Sequence, residues 1–271
     1  MKKFFAIYIV SVIAVMVGIT SARAATIALW TFEDGVPGTP AGVVQDVVGG
    51  NDGIANGAPL YTAGVRSTFG STGLNFNGID QSVFIDSTSG GPLELSGDFT
   101  IELGLVSGNS LGDGIALFMG DPTPGQDPYY IFVQSNGDVT FHLYTGAANF
   151  NLSAGAGTVT ANSSHTIGAV FDFDDINGTD NFMRLFIDQE EVASLNIGNQ
   201  VPFYGDTNSD LWFGSVHDTG LFYQGTVSDV RISDIALTGD QMMAIPEPGI
   251  LAVFGIGLLG LGLCRRGRRA C

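Results

Sequence analysis

Residues 129–144 read YYIFVQSNGDVTFHLY, and this stretch decides the fold class. Two runs of aromatic and β-branched residues, 129–134 and 139–144, flank a short polar segment that contains Asn136-Gly137. An Asn-Gly step between such runs is a strong signal for a β-hairpin turn, because both residues tolerate positive φ angles. The stretch therefore predicts two antiparallel strands joined by a tight turn.

The same pattern recurs between residues 25 and 245. Short hydrophobic runs alternate with segments rich in Gly, Asn, Asp, Ser and Thr, and no helical apolar stripe exceeds two turns. This predicts an all-β fold, an antiparallel two-sheet sandwich of the jelly-roll type. Residues 35–64 are rich in Gly and Pro, and we expect a long loop there. The further predicted strands cover residues 99–106, 115–119, 166–173, 182–187, 192–197, 211–214 and 225–232.

The N-terminus has the three parts of a secretory signal peptide. Lys2 and Lys3 are followed by an apolar run over residues 4–19 and then by Ala22-Arg23-Ala24, a small-x-small cleavage site. Such a segment is removed on export, and we expect cleavage before Ala25. Residues 1–24 are therefore excluded from the folded domain.

The C-terminus carries a second tripartite segment. Pro246-Glu247-Pro248 precedes an apolar run over residues 249–264, and an arginine cluster occupies residues 265–269. As a helix at about 1.5 Å per residue, the apolar run would measure roughly 24 Å. That is the short end of what crosses a hydrocarbon core of about 30 Å. An Arg excess marks the cytoplasmic side, so the body would lie across the membrane.

This tail resembles the PEP-CTERM sorting signal, from the Pro-Glu-Pro triplet at residues 246–248 to the terminal Arg cluster. The resemblance implies that an exosortase-type membrane protease removes the tail. The protein would then be held only transiently in the inner membrane before it reaches the cell surface or extracellular matrix. The alternative is an ordinary tail anchor. The predicted organisation is a domain over residues 25–237, a linker over 238–245 and the sorting signal over 246–271.

The exported body is strongly acidic. Between residues 25 and 245 there are three arginines, no lysine and 26 acidic residues, giving a formal charge of −23. This excludes nucleic acid as a partner, because binding to phosphates requires a basic surface. Cations and neutral polymers such as glycans remain compatible with the charge. Cys264 and Cys271 both lie in the tail, so the body must fold without disulfides.

Four segments of the body resemble laminin-G-like, concanavalin A-like domains. They are LNFNG at 74–78, LSGDFTIEL at 95–103, GTVSDVRISDIAL at 225–237 and DVVGGNDG at 46–53. The resemblance implies that the jelly roll extends over the whole body.

The same resemblance implies a calcium site. It would combine Asp46, carbonyl groups near Asn51 and an acid on the closing strand. Ser228 stands where the family usually has Asp, and Asp229 is expected to point to the opposite face because neighbouring strand residues alternate. Calcium is thus the cofactor that the sequence suggests, with an incomplete set of ligands.

Glycan sites on β-sandwiches often use exposed aromatic side chains. Tyr129, Tyr130, Tyr204 and Trp212 are the candidates for such a site, although large rings also bury well in cores. The partner that the sequence suggests is an extracellular polysaccharide.

Catalysis has weaker support in the sequence. The body lacks the E-x-D-x-x-E or E-x-D-x-E strand of jelly-roll glycosidases, whose two carboxyl groups must lie close together. His142 and Tyr144 share a strand face and could serve a polysaccharide lyase, but no lysine is present to stabilise the charge. We expect a non-enzymatic protein that binds or builds a matrix. The alternatives are a glycan-active enzyme and a structural protein without a discrete ligand.

The tail yields a direct prediction. Replacing Pro246-Glu247-Pro248 with alanines should leave the full-length protein in the inner membrane, because the sorting protease no longer recognises it. Mass spectrometry of wild-type surface material should find no peptide from residues 249–271. Intact tail peptides in that material would show that the segment is an ordinary anchor.

Overall fold

The computed structural model describes residues 26–65, 69–87, 91–120, 127–173, 180–205 and 209–243. Two antiparallel sheets of eight strands each face one another, and one 3₁₀ turn at Gly239–Gln241 is the helical element within those ranges. The predicted all-β sandwich is confirmed. The predicted signal peptide, its cleavage site and the C-terminal sorting signal lie outside the described residues.

The first sheet brings together the N-terminal and C-terminal strands. Its order is β14-β13-β12-β7-β16-β5-β4, and β1 pairs with β16 beside β5. The strands are β1 (Thr26–Trp30), β4 (Leu60–Ala63), β5 (Thr72–Asn77), β7 (Phe99–Ser107), β12 (Ser164–Asp172), β13 (Asn181–Ile187), β14 (Glu190–Gly198) and β16 (Gln224–Ser233).

The second sheet contains the predicted hairpin. Its order is β11-β10-β9-β8-β15-β6-β3-β2, and β9 pairs with β10 in the register Val133 to Val139. Gly137 has a φ angle of +81° in the turn, as the Asn-Gly step predicts. The strands are β2 (Val43–Val44), β3 (Gly53–Asn56), β6 (Ser82–Ile85), β8 (Gly114–Gly120), β9 (Tyr129–Val133), β10 (Val139–Tyr144), β11 (Asn149–Ser153) and β15 (Asp210–Phe213).

The prediction of a long loop over residues 35–64 is wrong. The segment contributes β2 and β3 to the second sheet and β4 to the first. Each of these strands has only two to four residues, which is too short for an alternating pattern to stand out from the Gly and Pro around it. The segment therefore forms the edges of both sheets.

The core lies between the inner faces of the two sheets. Trp30 and Phe213 meet edge to face with ring centroids 5.1 Å apart, and Phe99 stacks on Phe171 at 5.4 Å. All four side chains are fully buried. Aromatic pairs at such distances add about 0.5–1.5 kcal/mol beyond the burial of their area. Packing of this kind can stabilise a body that has no cysteine.

A β-bulge interrupts the pairing of β16 with β7. Ser228 lies opposite Gly104, but Arg231 lies opposite Glu102, so β16 has one extra residue between these two pairs. Asp229 lies in the bulge with a φ angle of +36°. An extra residue reverses which face the following side chains occupy. As a result, Arg231 shares the outer face of the sheet with Glu102.

Glu102 and Arg231 form a buried ion pair across the two central strands. Glu102 is 1% exposed, and the Arg231 side chain is 11% exposed. The guanidinium group donates through Nε and Nη2 to Oε2 of Glu102, while the other carboxylate oxygen accepts the backbone N–H of Met243 at 2.6 Å. Burial raises the pKa of Glu102, and the two donors oppose that shift.

The segment 235–243, which we call the C-terminal strap, packs on the outer face of the first sheet. Leu237 and Met242 are buried against Val170 and Phe186, and Gln189 donates to the carbonyl of Met242 at 3.1 Å. The predicted linker over residues 238–245 is therefore wrong for its first six residues, which are fixed to the domain. Within the described ranges, no helix combines the length and apolar character that a membrane span needs.

The Glu102–Arg231 pair yields a stability prediction. Glu102→Gln leaves the guanidinium group buried without a carboxylate, and breaking a buried ion pair in this way costs about 3–5 kcal/mol. Urea denaturation of the exported body should show the loss as a lower midpoint. Glu190→Gln, at the exposed start of β14, is the matched control and should change stability by less than about 0.5 kcal/mol. Equal effects of the two substitutions would contradict a stabilising role for the pair.

Candidate functional site

One row of side chains crosses the outer face of the second sheet from edge to edge. The register aligns one residue from each of the eight strands, and five consecutive members carry rings. In strand order, the aligned residues are Val43, Ile54, Phe84, Trp212, Phe118, Tyr130, His142 and Asn151. We call the five residues from Phe84 to His142 the aromatic row.

The rings of the aromatic row contact one another along the sheet. Phe84 and Trp212 have centroids 4.8 Å apart, Phe118 and Tyr130 stack at 6.3 Å, and Tyr130 and His142 lie parallel at 4.2 Å. Phe84, Trp212 and Tyr130 are half-buried, whereas Phe118 and His142 are almost fully covered. Three ring systems therefore offer part of their surface to a partner.

A short loop brings a further ring onto the row. Residues 216–220 form a tight turn in which His217 and Asp218 both have positive φ angles. The turn places the His217 ring edge-on against Phe118 at 4.8 Å and against Trp212 at 5.9 Å. His217 thus covers the middle of the aromatic row and separates the Trp212 end from the Tyr130 end.

Carboxylates flank the same face. Asp210 lies two residues from Trp212 on β15, and its Oδ1 accepts the backbone N–H of Ser87 at 3.1 Å. Burial raises the pKa of Asp210, the nearby charge of Asp86 adds to the shift, and the Ser87 N–H and His217 oppose it. Asp127 lies near the Tyr130 half of the row. Burial is the main cause that raises the pKa of Tyr130, and the charge of Asp127 adds to it.

Two of the four sequence-predicted aromatic candidates belong to the core. Tyr129 is fully buried and donates its hydroxyl to the carbonyl of Leu93 at 3.1 Å. Tyr204 packs edge-on against Tyr129, and its hydroxyl bonds to both the N–H and the carbonyl of Leu95. The prediction that these two tyrosines offer ligand contacts is corrected, because β9 alternates and turns Tyr129 inward.

The other two candidates, Tyr130 and Trp212, lie together in the aromatic row. Sequence reasoning named them separately and missed Phe84, Phe118 and His217. The period-2 pattern indicated only that His142 and Tyr144 share a face of their strand. No local pattern reveals that β8 and β15 align Phe118 and Trp212 with them, because that pairing joins distant parts of the chain.

The residues named for calcium do not form a set of ligands. Asp46 accepts hydrogen bonds from the N–H groups of Leu29, Val48, Gly49 and Asn51 and from the Asn51 side chain. Five donors saturate its carboxylate and organise the turn. Burial alone would raise the pKa of Asp46, but the N–H donors together outweigh it, and the pKa is lowered.

Asp229, the third residue named for calcium, is buried in the bulge of β16. A Cβ atom added to Gly70 would lie 3.1 Å from Oδ1 of Asp229 and 2.6 Å from Oε1 of Glu33, so both acids lie against Gly70. Among the described residues, no group of three or more His, Cys, Asp or Glu side chains could hold a metal ion. The geometry therefore gives the predicted calcium site no support.

The two residues considered for a lyase lie at the β10 end of the face. A hydrogen bond of 2.9 Å joins Nδ1 of His142 to Oδ1 of Asn151, and burial lowers the pKa of His142. Tyr144 donates to the carbonyl of Gly146. The two arginines that the structure describes lie on the first sheet, where Arg184 contacts Asp172 and Arg231 contacts Glu102. Neither arginine is on the sheet that carries His142.

A cleft opens on the outer face of the first sheet. It has a volume of about 610 Å³ and lies between the C-terminal strap and Phe173. Arg184 lines it and is engaged by Asp172 and Glu191 at 3.2 and 3.7 Å. An ion-paired wall of this kind offers fewer free contacts than the half-exposed rings of the second sheet. We therefore take the aromatic row as the candidate site.

An all-β sandwich of two antiparallel eight-stranded sheets defines this chain as a jelly-roll domain of the lectin and glucanase type. Residues 76–242 match the concanavalin A-like lectin/glucanases superfamily, and the chain belongs to this family. Residues 244–269 match the PEP-CTERM protein-sorting motif, a signal for export and sorting to the cell surface. Both resemblances that the sequence suggested are thus confirmed.

Solved structures show the same fold at low sequence identity. Domain 4 of AbnA, an extracellular arabinanase from Geobacillus stearothermophilus solved with arabinotriose, superposes with a TM-score of 0.58 at 17% identity, covering 81% of this chain and 97% of that one. The binding domain of Paraclostridial Mosquitocidal Protein 1 superposes with a TM-score of 0.57 at 11% sequence identity. The match covers 80% of this chain and 50% of that one. The receptor-binding domain of botulinum neurotoxin type G superposes with a TM-score of 0.54 at 10% sequence identity. That match covers 80% of this chain and 49% of the other. No curated protein sequence matches the chain.

The stacked His142 yields a pH prediction. Its pKa is lowered in the folded state, so the unfolded chain binds a proton first as the pH falls below the ordinary value of about 6.5. The stability that neutral His142 provides is therefore lost between that value and the lower folded pKa. Thermal melts at a series of pH values should show this loss in the wild type. His142→Phe keeps a ring on Tyr130 without a proton site, and its melting temperature should fall less over the same interval. Identical pH profiles would contradict the assignment.

Proposed function

We propose that this protein is an exported surface or matrix protein that binds polysaccharide through the aromatic row. An exosortase-type protease would process its tail. The proposal rests on one observation, which is the register of five strands that aligns Phe84, Trp212, Phe118, Tyr130 and His142 on one outer face.

The dimensions of the row suit an extended chain. From β6 to β10 the row covers four strand spacings, or about 19 Å at the usual 4.8 Å between strands. The half-exposed rings of Phe84, Trp212 and Tyr130 are distributed along this length. Ligand sites generally combine apolar and aromatic surface with a few placed polar groups. A polysaccharide offers both, since its rings have C–H faces and its edges have hydroxyl groups.

Polar side chains at both ends of the row can meet such hydroxyl groups. Asp210 lies near the Trp212 end, and the exposed Asn151 side chain lies beyond His142. The sugar that accompanies the arabinanase domain supports the proposal through the shared fold. Because the sequence identity to that domain is only 17%, the glycan that this protein binds has to be determined by experiment.

A glycan-active enzyme is the second candidate. Domain 4 of AbnA, which has the same fold, is part of an arabinanase, and this keeps the second candidate open. On the aromatic row itself, His142 is buried and bonded to Asn151, and no arginine that the structure describes lies nearby. These features favour binding without turnover.

The proposal predicts loss of glycan binding when a ring is removed. Wild-type body should be screened on an array of neutral oligosaccharides that includes arabino-oligosaccharides, and the best ligand measured by calorimetry. Trp212→Ala and Tyr130→Ala should each weaken binding at least fivefold, because truncation at a binding hot spot costs more than about 1 kcal/mol. Phe173→Ala, which removes an exposed ring of the first sheet, is the matched control and should leave binding unchanged.

Circular dichroism should show the same β spectrum for all three variants, so that loss of binding is not loss of fold. Binding that survives both Trp212→Ala and Tyr130→Ala would overturn the assignment of the face. The same samples should also be assayed for reducing ends and unsaturated products. If the wild type releases such products and His142→Phe does not, the protein is a glycan-active enzyme, and the second candidate function replaces the first.

A further inference from the structure

One side chain lies on top of the aromatic row and is not part of any strand. The ring of His217 contacts Phe118 and Trp212 edge to face, with centroids 4.8 and 5.9 Å apart. Phe118 is 1% exposed, whereas His217 is only half-buried. His217 therefore lies on the solvent side of Phe118, and a ligand on this face meets the imidazole ring where the row itself would offer Phe118.

The turn that carries this histidine is anchored to the sheet. The hydroxyl group of Ser82 donates to Oδ1 of Asp218 at 3.0 Å, and the Asp218 N–H donates to the hydroxyl oxygen of Ser215 at 3.2 Å. Both serines are fully buried. The N–H of Val216 donates to the carbonyl of Gly220 at 3.0 Å and closes the turn. These bonds fix the turn to β6 and to the end of β15.

The backbone of the turn also indicates an imposed position. His217, Asp218 and Leu221 have φ angles of +48°, +55° and +48°. Such angles are unfavourable for residues other than glycine, and they persist only where the surrounding structure imposes them. The fold thus holds the His217 ring over the row at a cost in backbone conformation.

His217 stands between the two parts of the row that can contact a ligand. Trp212 and Tyr130 are the register partners of Phe118 on its two sides, and both rings are half-buried. Their strands are two spacings apart, or about 9.6 Å. A chain that contacts both rings must therefore pass over the imidazole ring between them.

Glycan chains differ in whether they can make this passage. Chains of β-1,4-linked glucose extend as flat ribbons, whereas chains of α-1,4-linked glucose curve. A flat ribbon laid across the row would rest on His217 and be lifted away from Trp212 or Tyr130. A curved chain can arch over His217 and still contact the ring on each side.

We propose that His217 is the specificity-determining residue of the aromatic row, which disfavours flat, ribbon-like glycans and admits curved ones. This inference rests on the proposed function and specifies the class of glycan. The discrimination is steric, so it depends on the bulk of the side chain at position 217 and on the anchored turn that holds it there.

The test uses two probes that differ in shape alone. Maltohexaose and cellohexaose have the same composition and length, carry no charge, and differ only in the configuration of their linkages. Calorimetry should show that the exported body binds maltohexaose at least fivefold more tightly, which is the effect expected when the flat chain loses one aromatic hot-spot contact.

Variants at and beside the turn separate bulk from other effects. His217→Gly removes the ring, and glycine adopts the positive φ angle without strain, so the affinity for cellohexaose should rise at least fivefold and the preference should disappear. His217→Phe keeps a ring without its nitrogen atoms and should keep the preference. Ser82→Ala removes the hydrogen bond to Asp218 and should reduce the preference in part, because the turn can then move aside.

The outcomes separate this inference from the proposed function. Equal affinity of the wild type for the two hexaoses, or a preference for cellohexaose, with binding lost in Trp212→Ala, would overturn the role of His217 and leave the proposed function standing. A preference that persists in His217→Gly would overturn that role as well. Failure to bind any glycan on the array would overturn the proposed function itself.

The glycine variant also decides the case in which the wild type binds another glycan but neither hexaose. Cellohexaose binding gained by His217→Gly, and not by His217→Phe, would then support the steric role of His217. Absence of that gain would overturn it. Circular dichroism should show the same β spectrum for all the variants, so that a change in preference is not a change in fold.

Discussion

The buried ion pair between Glu102 and Arg231 joins the two central strands of the first sheet to the end of the described chain. It bridges β7 and β16, the two central strands, and β16 in turn pairs with β1 at the N-terminus of the domain. Its carboxylate also accepts the N–H of Met243 at the end of the described chain. Burying two charges is favourable only when geometry and further hydrogen bonds compensate for lost hydration. Here the Met243 N–H and the Gln241 carbonyl, which Arg231 also contacts, provide that compensation.

The same contact fixes the end of the described chain. Met243 is held on the outer face of the first sheet, and only Ala244 and Ile245 separate it from Pro246. The aromatic row occupies the outer face of the opposite sheet. The body of the sandwich therefore stands between the origin of the tail and the candidate binding face. Attachment through the C-terminal sorting signal, as proposed above, would therefore keep that face away from the point of attachment.

Local sequence patterns predicted the fold well where the signal is local. The hairpin of β9 and β10 follows from period-2 alternation and one Asn-Gly step, and the long strands of both sheets follow from their hydrophobic runs. The bulge at Asp229 does not follow, because it depends on a positive φ angle at a residue that is not Gly. It breaks the alternation from which the orientation of Asp229 was inferred. The C-terminal strap was also missed, since Met242 and Met243 acquire their role from Gly168, Gln189 and Glu102, far away in the sequence.

The candidate site was predictable only in part, for the same reason. Tyr130 and Trp212 could be named as aromatic residues, but their neighbourhood depends on pairing between distant strands. The sequence also could not separate them from Tyr129 and Tyr204, because the inward or outward direction of a ring changes with a single residue of register. The row becomes visible once the eight strands are aligned.

The acidity of the body and the exposure of the aromatic row depend on each other. A contiguous apolar patch on an exported domain is normally a surface for self-association. Here Val43 and Ile54, each 57% exposed, extend the patch beyond Phe84 to the edge of the sheet. A formal charge of −23 on the body makes two copies repel each other, and repulsion of this kind keeps proteins soluble and monomeric. The same field does not repel a neutral chain. The charge thus opposes contact between the rings of Phe84, Trp212 and Tyr130 on two copies, but it does not oppose the neutral polysaccharide proposed as their partner.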